Sequence, residues 1–405
     1  MTSHAQLAGW EPRYAARAER MRASEIRELL KLLEQPGIIS FAGGIPDPAL
    51  FPVSEARAAY AAVLADAAMA GGGLQYSVSE GYLPLRQWIV RHMGDLGVAC
   101  AEDNIVVTSG SQQALDFLGR LLLSPGDTAL VTAPTYLGAL QAFSAYEPRY
   151  DELRPEDGNR TPQSYAAAAG ARVKFAYVVP SYANPTGETL SLAARERLLD
   201  LAAELDIPIV EDAAYAALRF EGDALPPIMA LEVARRGGID NARSIYCGTF
   251  SKVLSPGLRV GWIVAPQAMI RRLVLVKQAS DLNNSTINQM VMHRLAETAY
   301  DVQVERARTH YRRRRDAMLA ALERHMPEGV SWTRPNGGLF VWARLPEGID
   351  AASLLDRAVK EAGVAFVPGA AFFHDGRGRN TLRLSYSLPT ADEIGEGIAR
   401  LAKLI

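Results

Sequence analysis

Three polar residues, Asn184, Asp212 and Lys252, each end or closely follow a short apolar run of the chain. Short apolar runs between helical patterns are typical of parallel strands, and right-handed crossovers bring the ends of such strands to one edge of a sheet. A lysine amine at that edge attacks carbonyl carbons only when it is neutral, and burial or a nearby cation favours the neutral form. The spacing therefore predicts that Asn184 and Asp212 face one crevice, and the order of the runs favours a position for Lys252 beside them.

Each of these residues also has an ordinary explanation when it is taken alone. Asn184 opens the sequence Asn-Pro-Thr-Gly, which forms turns readily. Asp212 can cap the helix that follows it, and most lysines are solvated surface amines. The order of the three favours a common site, because Tyr215 follows Asp212 by three residues and Arg259 follows Lys252 by seven.

The chain from about residue 100 onward predicts a mainly parallel α/β sheet with helices on both faces. Helices are predicted near 112–123, 136–146 and 191–205. The strand candidates are 105–108, 129–131, 173–179, 207–210, 244–248 and 258–264. This alternation of short apolar runs and helical patterns is the main evidence for the fold class.

Two further regions flank this pattern. Residues 286–323 are predicted to form one long charged helix with at most one break, and 22–34 an amphipathic helix near the N-terminus. The last part of the chain has strand patterns with fewer helices between them, at 331–345, 364–367 and 381–387. This change predicts a smaller α+β domain at the C-terminus, against which the N-terminal helix packs.

Composition and charge argue against several classes of protein. The 405 residues include 43 basic and 45 acidic side chains, so charge gives no reason to expect a nucleic-acid or membrane partner. Cys100 and Cys247 have no zinc-binding spacing, and Cys247 is expected to be a buried, inert thiol. We therefore expect no metal site. There is no long apolar segment or signal-peptide core, so we expect a cytoplasmic protein. The basic run Arg312–Arg315 is expected to be a solvated helix face.

Seven short strings occur in one order along nearly the whole chain, and together they resemble the class I and II aminotransferases of pyridoxal 5′-phosphate (PLP) fold type I. The strings are Thr108–Gln113, Ala133–Tyr136, Asn184–Gly187, Asp212–Tyr215, Thr249–Lys252, Gly257–Arg259 and Asn380–Leu384. The resemblance implies a large PLP-binding domain with a mainly parallel seven-stranded sheet between helices. It also implies a smaller α+β C-terminal domain, joined to the large one by the N-terminal segment.

The same resemblance divides the chain into an N-terminal helix and arm, a large domain, a connecting helix and a small domain. The predicted boundaries are 1–45, 46–285, 286–323 and 324–405.

The resemblance also implies the roles of residues around the cofactor ring. Lys252 is expected to hold PLP as a Schiff base and to move the substrate α-proton, and Asp212 to pair with the pyridine nitrogen. Asn184 and Tyr215 are expected to hydrogen-bond the ring 3′-oxygen, and Tyr136 to stack on the ring.

The phosphate of PLP requires backbone N–H groups at a helix start, together with hydroxyl groups and a cation. By the resemblance, these are supplied by Gly110, Ser111, Gln112, Thr249, Ser251 and Arg259. Tyr76 resembles the tyrosine that reaches the phosphate of the neighbouring subunit, which implies a homodimer with shared active sites. The family often has serine in place of Thr249 and proline in place of Ala214, and both are mild departures.

Substrate recognition is implied by three further residues. Arg383 is expected to bind the α-carboxylate bidentately, assisted by Asn184, although a strand-edge salt bridge is the alternative role. Segments 22–31, 38–44 and 74–77 resemble the 2-aminoadipate and kynurenine aminotransferase II group, in which the N-terminal helix covers the substrate. Arg27 matches the arginine that meets a distal carboxylate there, with a solvent-facing position as the alternative, and Gly44 is expected beside the substrate.

The predicted reaction is a ping-pong amino transfer. The donor is 2-aminoadipate, glutamate or a broad range of aromatic and aliphatic amino acids, and the expected acceptor is 2-oxoglutarate. A β-lyase or decarboxylase on the same fold is the alternative, because one fold supports several PLP reactions. A PLP-sensing transcriptional regulator is more remote, because only about twenty residues precede the first predicted helix.

Overall fold

The computed structural model describes residues 9–10, 13–15, 17–18, 37–169 and 172–405. The helix predicted over 22–34, and Arg27 with it, lies outside the described residues. The strands are β1 (Ile39–Ser40), β2 (Ile105–Thr108), β3 (Thr128–Thr132), β4 (Arg149–Leu153), β5 (Val173–Val178), β6 (Ile209–Asp212), β7 (Ile245–Thr249), β8 (Gly261–Val264), β9 (Ser331–Trp332), β10 (Phe340–Arg344), β11 (Val364–Ala365), β12 (Val367–Pro368) and β13 (Thr381–Ser385).

The α-helices of the described residues alternate with these strands in the first two thirds of the chain. They are α1 (Val53–Ala65), α2 (Ala67–Leu74), α3 (Leu83–Asp95), α4 (Ser111–Leu122), α5 (Leu137–Ser144), α6 (Pro162–Ala168), α7 (Leu192–Leu205), α8 (Ile228–Arg236), α9 (Gln267–Gln278), α10 (Thr286–His325), α11 (Ala351–Arg357) and α12 (Ala391–Ala402). None of the helices described is both long and apolar enough to cross a bilayer.

Seven strands form the larger sheet, in the order β2-β8-β7-β6-β5-β3-β4. β8 runs antiparallel to both β2 and β7, and the other pairs of neighbours are parallel, so the predicted mainly parallel seven-stranded sheet is confirmed. Its inner strands are near-continuous apolar runs because helices cover both faces; β6 and β8 are buried at every position, and so is the edge strand β2. Cys247 of β7 is fully buried, as expected.

A second, antiparallel sheet has the order β12-β13-β10-β9. The strand pattern predicted over 331–345 corresponds to two strands, β9 and β10, which pair with each other. Gly337 and Gly338 lie between them: Gly338 has φ +75°, and a side chain at Gly337 would collide with the Leu218 carbonyl. The N-terminal segment reaches this part of the molecule through β1, which pairs in parallel with β11.

The long helix α10 is continuous over forty residues. The prediction that Arg312–Arg315 is a solvated face was wrong for two of its members. Arg315 is 4% exposed and donates to the Pro335 carbonyl at 2.7 Å, and Arg314 pairs with Asp47 at 2.6 Å. Four consecutive positions wrap around the whole helix, so part of the run must face the protein.

Candidate active site

The carboxyl ends of β5, β6 and β7 meet at one edge of the larger sheet, since the three strands are neighbours and parallel. Asn184 follows β5, Asp212 is the last residue of β6, and Lys252 lies in the turn after β7. A cavity of about 140 Å³ opens there. It is lined by Ser111, Gln112, Tyr136, Val179, Asn184, Asp212, Ala214, Tyr215, Thr249, Ser251, Lys252, Pro256 and Arg259. The structure therefore brings together most of the residues that the sequence assigned to one site.

Asp212 lies at the bottom of this cavity and is 2% exposed. Its carboxylate accepts hydrogen bonds from the Tyr177 hydroxyl at 2.9 Å and from the Ala214 N–H at 3.3 Å. Burial raises the pKa of Asp212 to about 6, against the lowering effect of these hydrogen bonds and of Lys252. Among the described residues no cation forms an ion pair with Asp212, so a protonated ring nitrogen in the cavity is a fitting partner for it.

Tyr177 was not among the residues predicted for the site. It is fully buried in β5, where a tyrosine within an apolar run looks like an ordinary core residue. The signal that could have identified it is its hydroxyl group, which must find a partner when it is buried. Only the alignment of β5 beside β6 reveals that this partner is Asp212.

Lys252 lines the wall of the same cavity. Its Nζ donates to the Gly44 carbonyl at 3.2 Å and lies 5.5 Å from the centre of the Tyr215 ring. Removal from water, together with the positive charge of Arg383, lowers the pKa of Lys252 to about 8, while Asp212 opposes the shift. The amine is thus neutral far more often near pH 7 than an ordinary lysine, as attack on an aldehyde requires.

The start of α4 forms a cup suited to a phosphate group. Gly110 has φ +87°, and a Cβ atom there would lie 2.5 Å from the guanidinium of Arg259. The backbone N–H groups of Ser111 and Gln112 donate no hydrogen bond within the described residues. Across the cup, the Thr249 hydroxyl donates to Ser251 Oγ at 2.9 Å. Free N–H groups at a helix start, hydroxyl groups and an arginine together form an anion site.

Arg383 is a buried cation without an anionic partner among the described residues. The side chain is 1% exposed and lies over the Phe340 ring, with 4.3 Å between Cζ and the ring centre. Its Nη1 donates to Asn184 Oδ1 at 2.8 Å and its Nη2 to the Ala42 carbonyl at 2.6 Å, whereas Nε has no partner. The strand-edge salt bridge considered from the sequence is not formed there. A carboxylate would satisfy this cation.

The remaining predicted residues lie around or away from the cavity. A Cβ atom at Gly44 would lie 3.9 Å from Arg383 Nη2, so Gly44 borders the space between Arg383 and Lys252. Asn184 Nδ2 lies 3.5 Å from the Tyr215 hydroxyl, and this pair also faces the cavity. Tyr76 is 78% exposed and does not line the cavity of its own chain.

These donors and acceptors fit PLP. Asp212 matches its pyridine nitrogen, Lys252 its aldehyde, and the start of α4 with Arg259 its phosphate. The fit rests on groups that have no partner within the described part of the chain, namely the N–H groups of Ser111 and Gln112, and on the Asp212 carboxylate, which forms no ion pair there.

The reaction of the cofactor-free protein with PLP should accelerate as the pH rises toward 8. With a pKa of about 8, the neutral fraction of Lys252 increases roughly tenfold from pH 6 to pH 7 and levels off above pH 9. Stopped-flow absorbance between pH 6 and pH 10.5 checks this expectation. A rate that is still rising steeply above pH 9.5 would contradict a lowered pKa.

The chain is similar to known proteins over almost its whole length. The family model described as aminotransferase class I and II matches residues 37–401. The aromatic-amino-acid aminotransferase 1 of Thermococcus litoralis is 43% identical over 404 residues, which cover 98% of this chain and 94% of that protein.

Two solved structures resemble the fold closely. One is the α-aminoadipate aminotransferase of Thermus thermophilus, complexed with N-(5′-phosphopyridoxyl)-L-leucine, with a TM-score of 0.87. The other is the kynurenine aminotransferase of Pyrococcus horikoshii in complex with PMP, the amine form of the cofactor, with a TM-score of 0.90. Each is 42% identical to this chain, and each match covers 98% of both chains.

Proposed function

This chain belongs to the class I and II aminotransferases, which are PLP-dependent enzymes, and we propose that it moves the amino group of 2-aminoadipate, glutamate or an aromatic or aliphatic L-amino acid to 2-oxoglutarate. The observation that carries the proposal is Arg383, a buried cation that has no anionic partner among the described residues and donates to Asn184, a residue of the cavity wall beside Lys252. Relatives named for aminoadipate, aromatic amino acids and kynurenine support a broad donor range. Arg27, which would select a distal carboxylate, remains a prediction from the sequence.

The proposed roles of the residues follow from their positions. Bound PLP supplies an electron sink for the electron pair that is left when the substrate α-proton is removed. Arg383 and Asn184 hold the α-carboxylate, which fixes the α-carbon next to Lys252. Lys252 Nζ first carries the cofactor and, after release, takes the α-proton as a base. Its pKa of about 8 lies close to neutral pH, as efficient proton transfer requires.

Asp212 has the complementary task of keeping a proton on the pyridine nitrogen. Tyr177 and the Ala214 N–H hold the carboxylate in place from below. Because both are neutral donors, they orient the carboxylate without neutralising its charge. We propose that Asn184 and Tyr215 contact the ring 3′-oxygen and that Tyr136 stacks on the ring.

The donor and the reaction type can be tested with the purified holoprotein. Single amino acids are added without an acceptor, and the visible absorption band of the bound cofactor is followed. We expect 2-aminoadipate, glutamate and aromatic amino acids to bleach the band, and 2-oxoglutarate to restore it. Steady-state rates measured with both substrates varied should give parallel double-reciprocal plots. Release of pyruvate and ammonia without any acceptor would instead identify a lyase and overturn the proposal.

We further propose that the enzyme is a homodimer in which Tyr76 reaches the phosphate cup of the neighbouring subunit. Tyr76 is 78% exposed, and Leu74 beside it is 74% exposed. Apolar side chains that protrude together from one short segment are typical of an interface. Sedimentation of the holoprotein should give the mass of two chains, and an active monomer would contradict the shared site.

A further inference from the structure

A chain of polar contacts links a buried lysine, Lys277, to the phosphate cup. Lys277 lies in the last turn of α9, is 0% exposed, and its Nζ is 3.0 Å from Asp281 Oδ1. The second oxygen of Asp281 accepts from Gln113 Nε2 at 2.8 Å. Gln113 Oε1 in turn accepts from the backbone N–H of Ser109 at 2.7 Å. The carbonyl of Ser109 accepts from Arg259 Nη2 at 2.8 Å, which closes the path to the cup.

Two of these contacts fix the shape of the turn that precedes α4. Ser109 is held at its N–H by Gln113 and at its carbonyl by Arg259, so its peptide groups on both sides have fixed directions. Ser111 and Gln112 come directly after this turn, so the orientation of their free N–H groups depends on the backbone geometry of the turn. A small rotation of the turn would misalign both donors with a phosphate.

Gln113 is able to hold Ser109 only if its own amide is oriented. An amide side chain can rotate by half a turn and exchange its oxygen and nitrogen, which would place an N–H against the N–H of Ser109. Asp281 prevents this exchange because its carboxylate accepts only from the nitrogen. Asp281 is itself anchored by Lys277, the cation with which it forms an ion pair.

Stability alone is a weak reason for a lysine at this position. Removing an ammonium group from water is costly, and apolar substitutes for buried ion pairs are often neutral or stabilising. Buried ion pairs do, however, fix geometry, because a carboxylate with several defined partners has one orientation. Fixing the orientation of the Asp281 carboxylate is therefore a better explanation of Lys277 than a gain in stability.

We propose that Lys277 is a positioning residue for the PLP phosphate, acting through Asp281 and Gln113 on the turn of Ser109. The proposal rests on the proposed function, because it assumes that the cup holds the cofactor phosphate. It concerns the phosphate alone, since no contact in the path involves the residues proposed to face the cofactor ring. Its signature is thus a selective loss of affinity for the phosphorylated cofactor.

The test compares binding of PLP with binding of pyridoxal, which has the same aldehyde and ring but no phosphate. Lys277→Met keeps the volume and removes the cation, and Lys360→Met at an exposed position is the matched control. We expect the cofactor-free Lys277→Met protein to bind PLP about tenfold more weakly, the effect of losing one well-placed hydrogen bond, with pyridoxal binding unchanged. Equal losses for both ligands would reflect general structural damage and overturn the proposal.

Two further variants test the path itself. Gln113→Leu should give the same selective loss, and combining it with Lys277→Met should add little, because both break one chain. Additive losses would contradict a shared path. The double variant Lys277→Met/Asp281→Asn removes the uncompensated carboxylate but still lacks the ammonium group that anchors residue 281. We therefore expect its binding of PLP to stay weakened. Full recovery would assign the effect to charge repulsion and overturn positioning.

The outcome for the wild-type protein separates this proposal from the one on which it rests. If the wild-type protein neither binds PLP nor transfers amino groups, the proposed function has failed. If it does both, and the ratio of PLP to pyridoxal affinity is the same in wild type and Lys277→Met, only the role of Lys277 has failed.

Discussion

Replacing Lys252 with alanine is expected to lower the rate of amino transfer by about 10³-fold or more and to remove the absorption band of the cofactor joined to this lysine. The residue has two proposed tasks, carrying the cofactor and moving the α-proton, and alanine can do neither. Loss of the general base alone accounts for a factor of about 10²–10⁴. Absorbance spectra and steady-state rates with glutamate and 2-oxoglutarate measure both effects.

The control for this variant is Lys403→Ala, a lysine that is exposed near the C-terminus. It should have the absorption band and the rate of the wild type. Lys252→Ala should still bind PLP through its phosphate and ring, because the cup and Asp212 are unchanged. Turnover at the wild-type rate in Lys252→Ala would refute the assignment of this lysine, even if the family assignment stands.

The sequence predicted that Asn184, Asp212 and Lys252 lie close together, because they follow strands that are easy to recognise. Inner parallel strands are buried on both faces and appear as apolar runs, so the ends of β5, β6 and β7 were close to the predicted positions. β4 was missed because it is an edge strand of mixed composition, Arg149–Leu153, with only its last residue buried. The other edge strand, β2, is buried at every position and was predicted, so the exposure of β4 is what removes its apolar pattern.

What the sequence did not predict are contacts between residues that are distant along the chain. Tyr177 and Asp212 are on adjacent strands, and the hydrogen bond between them depends on a register that no local pattern encodes. Gln113 and Asp281 are 168 positions apart. Each of these side chains looks ordinary in its own segment, so only the packed fold reveals that it supports the site.

The second large effect is expected at Arg383. Arg383→Leu should lower kcat/KM for amino acid substrates by about 10³-fold, while the absorption band of bound PLP stays close to that of the wild type. Loss of one partner from a buried charge pair costs about 3–5 kcal/mol, which corresponds to a factor of about 10²–10⁴. Arg344→Leu, at an exposed strand position, is the matched control.

A substrate comparison then shows whether Arg383 binds the carboxylate or supports the fold. For a primary amine that lacks the α-carboxylate, the wild type and Arg383→Leu should react at similar low rates, since the arginine has nothing to bind. For amino acids, Arg383→Lys should recover only part of the loss, because an ammonium group cannot form the paired contacts of a guanidinium. If the amine and the amino acid lost reactivity equally, the buried cation would be structural. The α-carboxylate would then have to bind elsewhere, and the unpaired Nε of Arg383 would have no role in recognition.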